Sequence, residues 1–417
     1  MKKTVILRAP VLTMSGYGVH SRQIYRWLEK NSDKYDFWVH AVPWGSTTWF
    51  VDEKRLNGLV GRIMNKTGGA PGNFDISIQV QLPNEWDPKL AKFNIGVTAA
   101  VETNKANPSW INNVNMMDLV IVPSEHAKQS LINAGGSIQK RIEVVPEAFI
   151  DEITKENLDI DLPDFRTSFN FLVFGQITGN LEETDRKNTY RTLKWLCETF
   201  KKDDDVGIVI KTNSARNSQF DKNATKDLLK SLLGNVRQES HPPVYLLHGE
   251  MNNDEVAGLY RHPKIKALVA LTRGEGYGLP ILEAAASGLP VIATNWSGHL
   301  DFLNKGKFLP VEYDLKEISN QKIDKRQCPS CSGSGKIGPM TICGTCGGTG
   351  FLQIFMEGSK WAEPKETSAK KVLKKFYEMP DNPKQWAEDL SVILKEEYSQ
   401  EAIEKHYDRV FSDIAVW

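Results

Sequence analysis

Two glutamates, Glu275 and Glu283, stand eight positions apart in TRGEGYGLPILEAAASG, with Gly274, Gly276 and Gly278 around the first of them. Glycines just ahead of a helix leave backbone amides open to an anion, and a helix N-terminus adds its dipole, a combination suited to a diphosphate. Carboxylates on either side of such an anion site can read hydroxyls: Glu283, one turn into the helix, a ribose diol, and Glu275 a sugar beyond the phosphates. A second polar group lies upstream, where Arg186 and Lys187 in DRKN precede a helix whose apolar stripe runs Tyr190, Leu193, Leu196 or Cys197, and Phe200. Cations there oppose the helix dipole, which an anion held between them would relieve. The plain alternatives are a solvated basic pair, turn-forming glycines and a glutamate that only satisfies the dipole.

The elements that must position these residues are legible as apolar runs. The stretch IKALVAL before the glycine loop and LPVIAT after it read as buried parallel strands, and Pro280 to Ser287 as a helix ended by Gly288. Strand-like runs alternate with helical patterns in the first half (VILRA, FWVHAV, DISIQVQL, FNIGVTAAVE, DLVIVPS, IEVVPEA), and again after residue 165 (FNFLVFG, VGIVIKT, VYLLHGE, KALVAL, PVIAT). The class is α/β: two tandem Rossmann-like domains with parallel sheets, facing across a cleft at the carboxyl ends of their strands, where ligands of such sheets bind. The expected bounds are 1–165 and 166–398, with a C-terminal helix at about 399–417 set to pack back on the first domain. Gly249 and Glu250 follow the third strand of the second half, on the same side as the paired glutamates. The run Asp203, Asp204, Asp205 precedes a strand, at the opposite end, and reads as a solvated turn rather than a metal triad.

Four of the five cysteines form two Cys-x-x-Cys pairs, Cys328 and Cys331, then Cys343 and Cys346, with eleven residues between the pairs. That spacing suits one tetrahedral structural zinc per chain, and the glycines after each pair allow turns whose amides face sulfur. Disulfides are the alternative, and Cys197 reads as a core residue. The insert is 325–351 within the second domain, and residues 321–350 are locally basic, with Lys322, Lys325, Arg326 and Lys336 against Asp324. It reads either as a brace for a long loop or as a docking element.

Composition limits the partners. Lys plus Arg and Asp plus Glu are 52 each, so no global field steers the chain to a polyanion, and 40% hydrophobic with 25% charged residues is the balance of a globular protein. No apolar run reaches the roughly 20 residues of a membrane span, and MKKTVILRAPVL turns polar too early for a secretory signal, so the expectation is a cytoplasmic protein.

Glu275 and Glu283 with EGYGLPILE between them resemble the paired-glutamate motif of retaining, nucleotide-sugar-dependent glycosyltransferases of the two-Rossmann GT-B architecture, most like family four. SGYGVHSR, VETNKANPSW, DLVIVPS, DRKN and WAEP extend that resemblance along nearly the whole chain. It implies that Lys187, with Arg186, binds the donor diphosphate, that Glu275 contacts the transferred sugar and that Glu283 binds the ribose. It places Gly276, Tyr277, Gly278 and Leu279 at the donor, brings Gly16, Tyr17 and Gly18 towards it from the acceptor side, and sets Glu102, at the end of its strand, beside the sugar. The implied catalysis needs no metal. Both cysteine pairs match Cys-x-x-Cys-x-Gly-x-Gly, which resembles the zinc repeat of DnaJ-type chaperones, with two repeats, enough for one zinc, where those carry four. Two further readings stay open: a catalytically silent module that binds a sugar nucleotide or a partner, and a nucleotide-sugar epimerase. The acceptor is open too, with DNA carrying hydroxymethylated bases among the candidates through the insert and Lys105, Lys128, Lys140 and Arg141.

Overall fold

In the computed structural model the described residues are 2–45, 47–158, 160, 163–175, 182–202, 204–213, 217–237, 240–318, 326–328, 331–338, 341–343, 346, 350–352 and 354–414. Asp203, Lys322, Asp324 and Lys325 lie outside them. The chain divides into two compact units. One is Met1–Ala148 with Asn320–Ser359 and Glu401–Trp417; the other is Phe149–Ser319 with Lys360–Gln400.

The first unit starts with β1 (Lys3–Ala9), α1 (Gly16–Lys30), β2 (Tyr35–Ala41), α2 (Leu59–Asn65), β3 (Ile76–Val80), β4 (Phe93–Val97), α3 (Trp110–Met116), β5 (Leu119–Val122), α4 (Glu125–Ile132) and β6 (Ile142–Val144). The strands form one sheet in the order β2-β1-β3-β4-β5-β6, with every pairing parallel. Val5, Leu7, Ile78, Val80, Ile95, Val97 and Val120 are fully buried, as strands covered on both faces must be. Helix α1 is started by Ser15, whose hydroxyl accepts the Gly18 amide at 3.0 Å, and α4 by Ser124, which accepts from Ala127 at 3.1 Å.

The second unit contributes β7 (Phe169–Phe174), α5 (Thr189–Thr199), β8 (Val206–Thr212), α6 (Gln219–Leu233), β9 (Val244–His248), α7 (Asn253–Tyr260), β10 (Ile265–Ala270), α8 (Leu279–Ala286), β11 (Val291–Thr294), α9 (Leu300–Leu303), β12 (Leu309–Val311) and β13 (Tyr313–Glu317). Its sheet has the order β12-β11-β10-β7-β8-β9, again all parallel. Chain order reverses between β7 and β10, so the loops that follow these two neighbours flank the switch point, where open α/β sheets bind ligands. Strand β12 extends the sheet beyond the elements expected from the sequence. The core under α5 packs Leu193, Trp195, Leu196 and Cys197 against Phe171, Ile208 and Phe376.

The cysteine segment holds β14 (Arg326–Gln327), β15 (Lys336–Ile337), β16 (Thr341–Ile342) and β17 (Phe351–Leu352), paired antiparallel as β14 with β17 and β15 with β16. The chain then completes the second unit with β18 (Lys360–Pro364), antiparallel to β13, and with α10 (Glu366–Glu378) and α11 (Asp381–Glu397). Helix α12 (Gln400–Ile414) belongs to the first unit, where Tyr407 bonds His20 at 3.0 Å and Asp408 accepts from Trp27 at 2.8 Å, both on α1.

Three placements differ from the sequence expectation. Packing groups the cysteine segment with the first unit, although chain order sets it inside the second, because Ile354 and Phe355 lie against the core of Trp86, Val101, Ala106 and Trp110. The break between units falls after Ala148 rather than at 165. Glu102 is also not at a strand end: β4 stops at Val97, and Ala100 takes a left-handed backbone (φ 51°) that no strand continues through.

Candidate functional site

The loop between β7 and α5 and the loop between β10 and α8 meet at the switch point of the second unit. Lys187 Nζ lies 2.7 and 3.0 Å from the two Glu275 carboxylate oxygens, and an Arg186 guanidinium nitrogen is 3.3 Å from one of them. The same Arg186 nitrogen donates to the Gly274 carbonyl at 2.7 Å, and the Arg273 amide donates to the Arg186 carbonyl at 2.9 Å, so the two loops are stitched by backbone as well as charge. Burial works to raise the Glu275 carboxyl, but Lys187 and Arg186 outweigh it and hold it at about 2. Glu275 is therefore an anion at every ordinary pH.

The loop after β11 fixes Glu275 from behind. Its amide donates to Ser297 Oγ at 2.9 Å, and the Gly298 amide donates to its carbonyl at 3.0 Å. Ser297 itself is left-handed (φ 91°). His299 is wholly buried and bonds the Thr294 carbonyl at 2.8 Å through Nε2; burial lowers its pKa, which favours the neutral ring. Gly278 caps α8 with φ 106°, a conformation in which a side chain is strained, and Pro280 occupies the first turn as the sequence implies. Of the three loop glycines, Gly274 is used within the loop, with its amide 3.3 Å from Thr272 Oγ1.

Glu283 sits on α8 facing Tyr260, whose hydroxyl is 3.2 Å from Oε2. Burial pushes its carboxyl up to about 8, helped by the Glu152 charge and opposed by the Tyr260 hydrogen bond. The paired glutamates thus hold opposite protonation states near neutrality. Among the described residues, buried oxygens with no hydrogen-bond partner include Asn188 Oδ1 and Thr189 Oγ1 at the start of α5, and Thr212 Oγ1 and Thr294 Oγ1 at the carboxyl ends of β8 and β11. Such orphans are costly in a closed interior.

Sequence reading missed several supporting residues. Arg273, almost fully buried, donates to the Glu182 and Asp185 carbonyls at 2.7 and 2.6 Å, pairs with Glu363 at 3.0 Å and lies over the Trp361 ring at 5.2 Å, fixing the segment that carries Arg186 and Lys187. Lys211, at the end of β8, is lowered to about 8 by burial and donates to Asn213 at 2.6 Å. The basic residue in TRGEG and the acidic one in WAEP were visible, but their pairing spans 90 positions. Glu250 is exposed beyond β9 and does not share the buried environment of Glu275 and Glu283.

Gly16, Gly18 and Glu102 belong to the first unit. A side chain at Gly18 would meet the Thr13 carbonyl at 2.2 Å, so only glycine fits this start of α1; nothing lies within 4 Å of one at Gly16. Tyr17 donates to or accepts from Thr98 Oγ1 at 3.1 Å, accepts the Ala99 amide at 2.9 Å and stacks on Trp44 with ring centroids 3.7 Å apart.

The four cysteines converge. Cys328 and Cys343 sulfurs are 3.9 Å apart, Cys331 and Cys346 sulfurs 3.7 Å, and all four lie within 4.8 Å of one another. An S–S bond would need about 2.05 Å, whereas four thiolates around an ion at about 2.3 Å stand about 3.8 Å apart. The Gly335 and Gly350 amides donate to Cys331 and Cys346 sulfur, each at 3.3 Å, and the Cys328 and Cys343 amides bond the Gly350 and Gly335 carbonyls, each at 2.9 Å. The two halves repeat one another, and the set can hold a tetrahedral metal ion.

Residues 229–325, which include both glutamates, match the family described as glycosyl transferases group 1. No curated protein matches the chain. Among solved structures, sucrose-phosphate synthase from Thermosynechococcus elongatus is 11% identical, with 100% of each chain covered and a TM-score of 0.58. The E. coli structure described as trehalose-6-phosphate bound with UDP-2-fluoro glucose is 9% identical over 97% of this chain and 98% of that one, with a TM-score of 0.57. Against the pneumococcal O-GlcNAc transferase GtfA, in complex with UDP and GlcNAc, 82% of this chain covers 57% of that longer chain at 12% identity and a TM-score of 0.47. No helix among the described residues is long and apolar enough to cross a membrane. A segment that matches glycosyl transferases group 1 and contains the paired glutamates is thus carried on the two-domain GT-B fold, with a four-cysteine module able to hold a metal ion added to it.

Proposed function

We propose that the chain is a retaining glycosyltransferase that moves a sugar from a nucleoside diphosphate sugar to an acceptor hydroxyl. The observation that carries this reading is the Lys187 ammonium held on both oxygens of Glu275 at the switch point of the second sheet. A cation so placed can turn to a diphosphate without being created for it, and Glu275, always ionised, can then accept hydroxyls of the sugar. Glu283, neutral in the ligand-free protein, gains two hydroxyl donors when a ribose diol arrives, which favours its anion. The family matched over residues 229–325 supports the same class.

Transfer breaks the bond between the anomeric carbon and the diphosphate oxygen and forms a bond from the acceptor oxygen on the same face. The departing diphosphate takes the acceptor proton. Arg186, Lys187 and the amides of residues 276–278 meet the charge that builds on the leaving group, where one such donor is worth roughly 3 kcal/mol in comparable sites. No protein nucleophile and no metal are required. Zinc is the ion we assign to Cys328, Cys331, Cys343 and Cys346, one per chain, since thiolate-only tetrahedral sites suit it; it would supply structure, not chemistry.

The test is transfer of labelled sugar from a donor panel, uridine diphosphate sugars first, to glycan, protein and hydroxymethylated DNA acceptors, with the product anomer read by NMR. The reading expects release of nucleoside diphosphate and a retained anomer. An inverted product would remove the retaining mechanism. An absence of both transfer and hydrolysis with every donor would favour the silent binding module, and recovery of an isomerised donor the epimerase.

A further inference from the structure

The cysteine segment is short. Among the described residues its own buried cluster consists of the four cysteines alone, and its strands are two residue pairs each. A unit that small is ordered by its metal. Its exit is not small. Strand β17 leaves the metal cluster through the Gly350 carbonyl bond to Cys328, and two residues further Ile354 and Phe355 pack on the hydrophobic core of the first unit, which includes Ala100, Val101 and Ala106 with Trp86 and Trp110. Ser359, fully buried, reaches the Lys105 carbonyl at 3.5 Å, and a side chain at Gly358 would come within 3.4 Å of Lys105 Nζ.

The loop of residues 98–107 supplies Ala100, Val101 and Ala106 to that core and takes both contacts at Lys105. It has left β4, carries the left-handed Ala100, and is held on its other side by α4 and its end, through the Ala106 amide to the Ser130 carbonyl at 2.8 Å and Asn133 Nδ2 to the Asn104 carbonyl at 2.8 Å. It also bears Glu102, whose charge acts on Tyr17.

We propose that the metal module is a positioning device for this loop: with the ion bound, the arm bearing Ile354 and Phe355 holds residues 98–107 and hence Glu102 in place, and without the ion the loop loosens while the diphosphate-binding loops of the second unit do not. Phe355 is the positioning residue, acting through the core to which Val101 and Ala106 belong. Only the activity readout below rests on the proposed function; the exchange readout does not.

The experiment uses the full chain, its metal content set by elemental analysis, before and after chelation under reducing conditions and after reloading with zinc. Hydrogen exchange read by mass spectrometry should rise roughly tenfold or more in peptides covering 98–107 on metal removal, return on reloading, and stay unchanged over 272–284. Because metal-free protein can lose more structure than the loop, Phe355→Ala is studied with the metal bound. It should keep one ion per chain, reproduce the faster exchange at 98–107, and raise the acceptor KM with donor hydrolysis retained; Phe355→Leu should restore both. Faster exchange confined to 326–352, or Phe355→Ala with an unchanged 98–107 loop, overturns the proposal. Elemental analysis showing no metal in reduced, chelator-free protein overturns it as well. Failure of metal-loaded protein to bind any nucleoside diphosphate would count against the proposed function and leave the brace standing on its exchange data.

Discussion

The two parallel sheets share a plan and differ in what fills their switch points. Between β7 and β10 the second unit keeps a preformed charge cluster, Arg186 and Lys187 on Glu275, braced by Arg273 and Glu363. Between β1 and β3 the first unit ends in hydroxyls and stacked rings: Thr13 on Ser15, Tyr17 on Thr98, and Tyr17 against Trp44. A site for a diphosphate can be recognised by charge because two negative groups demand compensation wherever they bind. A site for a neutral hydroxyl acceptor is defined by shape and by hydroxyl and ring contacts, which many sequences supply. On the proposed function, the contrast explains why the second unit is the easier one to read.

The largest expected effect is on rate, at the charged switch point. Glu275→Ala should slow transfer by on the order of 10²-fold or more with donor affinity changed only a few-fold; single-turnover kinetics with the best donor checks this, and an unchanged rate would make the cluster structural. Next, Glu283→Ala should weaken donor binding by roughly tenfold, about the 1.4 kcal/mol of one good polar contact, with a smaller change in the chemical step.

Glu283 also gives a stability test. Its folded carboxyl is raised to about 8 from an ordinary value of 4.5, so the folded state favours the protonated form. The stabilisation is complete below 4.5 and is lost as pH rises through 8. Glu283→Gln removes that loss, so its melting temperature should gain on the wild type between pH 5 and pH 8.5; a pH-independent difference would place the ordinary value at Glu283. The smallest effect is expected from the first sheet. Trp44→Ala removes a stack worth about 0.5–1.5 kcal/mol, and should lower acceptor turnover a few-fold with nucleoside diphosphate affinity intact. If it weakened the nucleotide instead, the division of labour between the sheets would be wrong.

The sheets were legible because buried parallel strands are short apolar runs separated by helices, and the cysteine pairs because metal spacing is local. The paired glutamates were legible as positions. Their opposite ionisation was not, since it depends on Lys187 and Arg186 from another loop for Glu275 and on Tyr260 and Glu152 for Glu283. Arg273 and Lys211 were hidden for the same reason: their partners are far along the chain. Glu102 was drawn to a strand end by the run FNIGVTAAVE, which stays apolar past Val97 although Ala100 turns the backbone away. Chain order put the cysteine segment with its flanking strands β13 and β18, whereas packing, that of Ile354 and Phe355 included, groups it with the first unit.

The central claim is that the switch point of the second sheet binds a diphosphate through Lys187. Calorimetric titration of a nucleoside diphosphate panel into the full chain and into Lys187→Ala, in buffer without divalent metal, tests it most directly. The account expects at least one nucleoside diphosphate to bind the wild type and to lose roughly tenfold or more in affinity in the variant. Equal affinity for both proteins, or no binding to the wild type by any member of the panel, would contradict it.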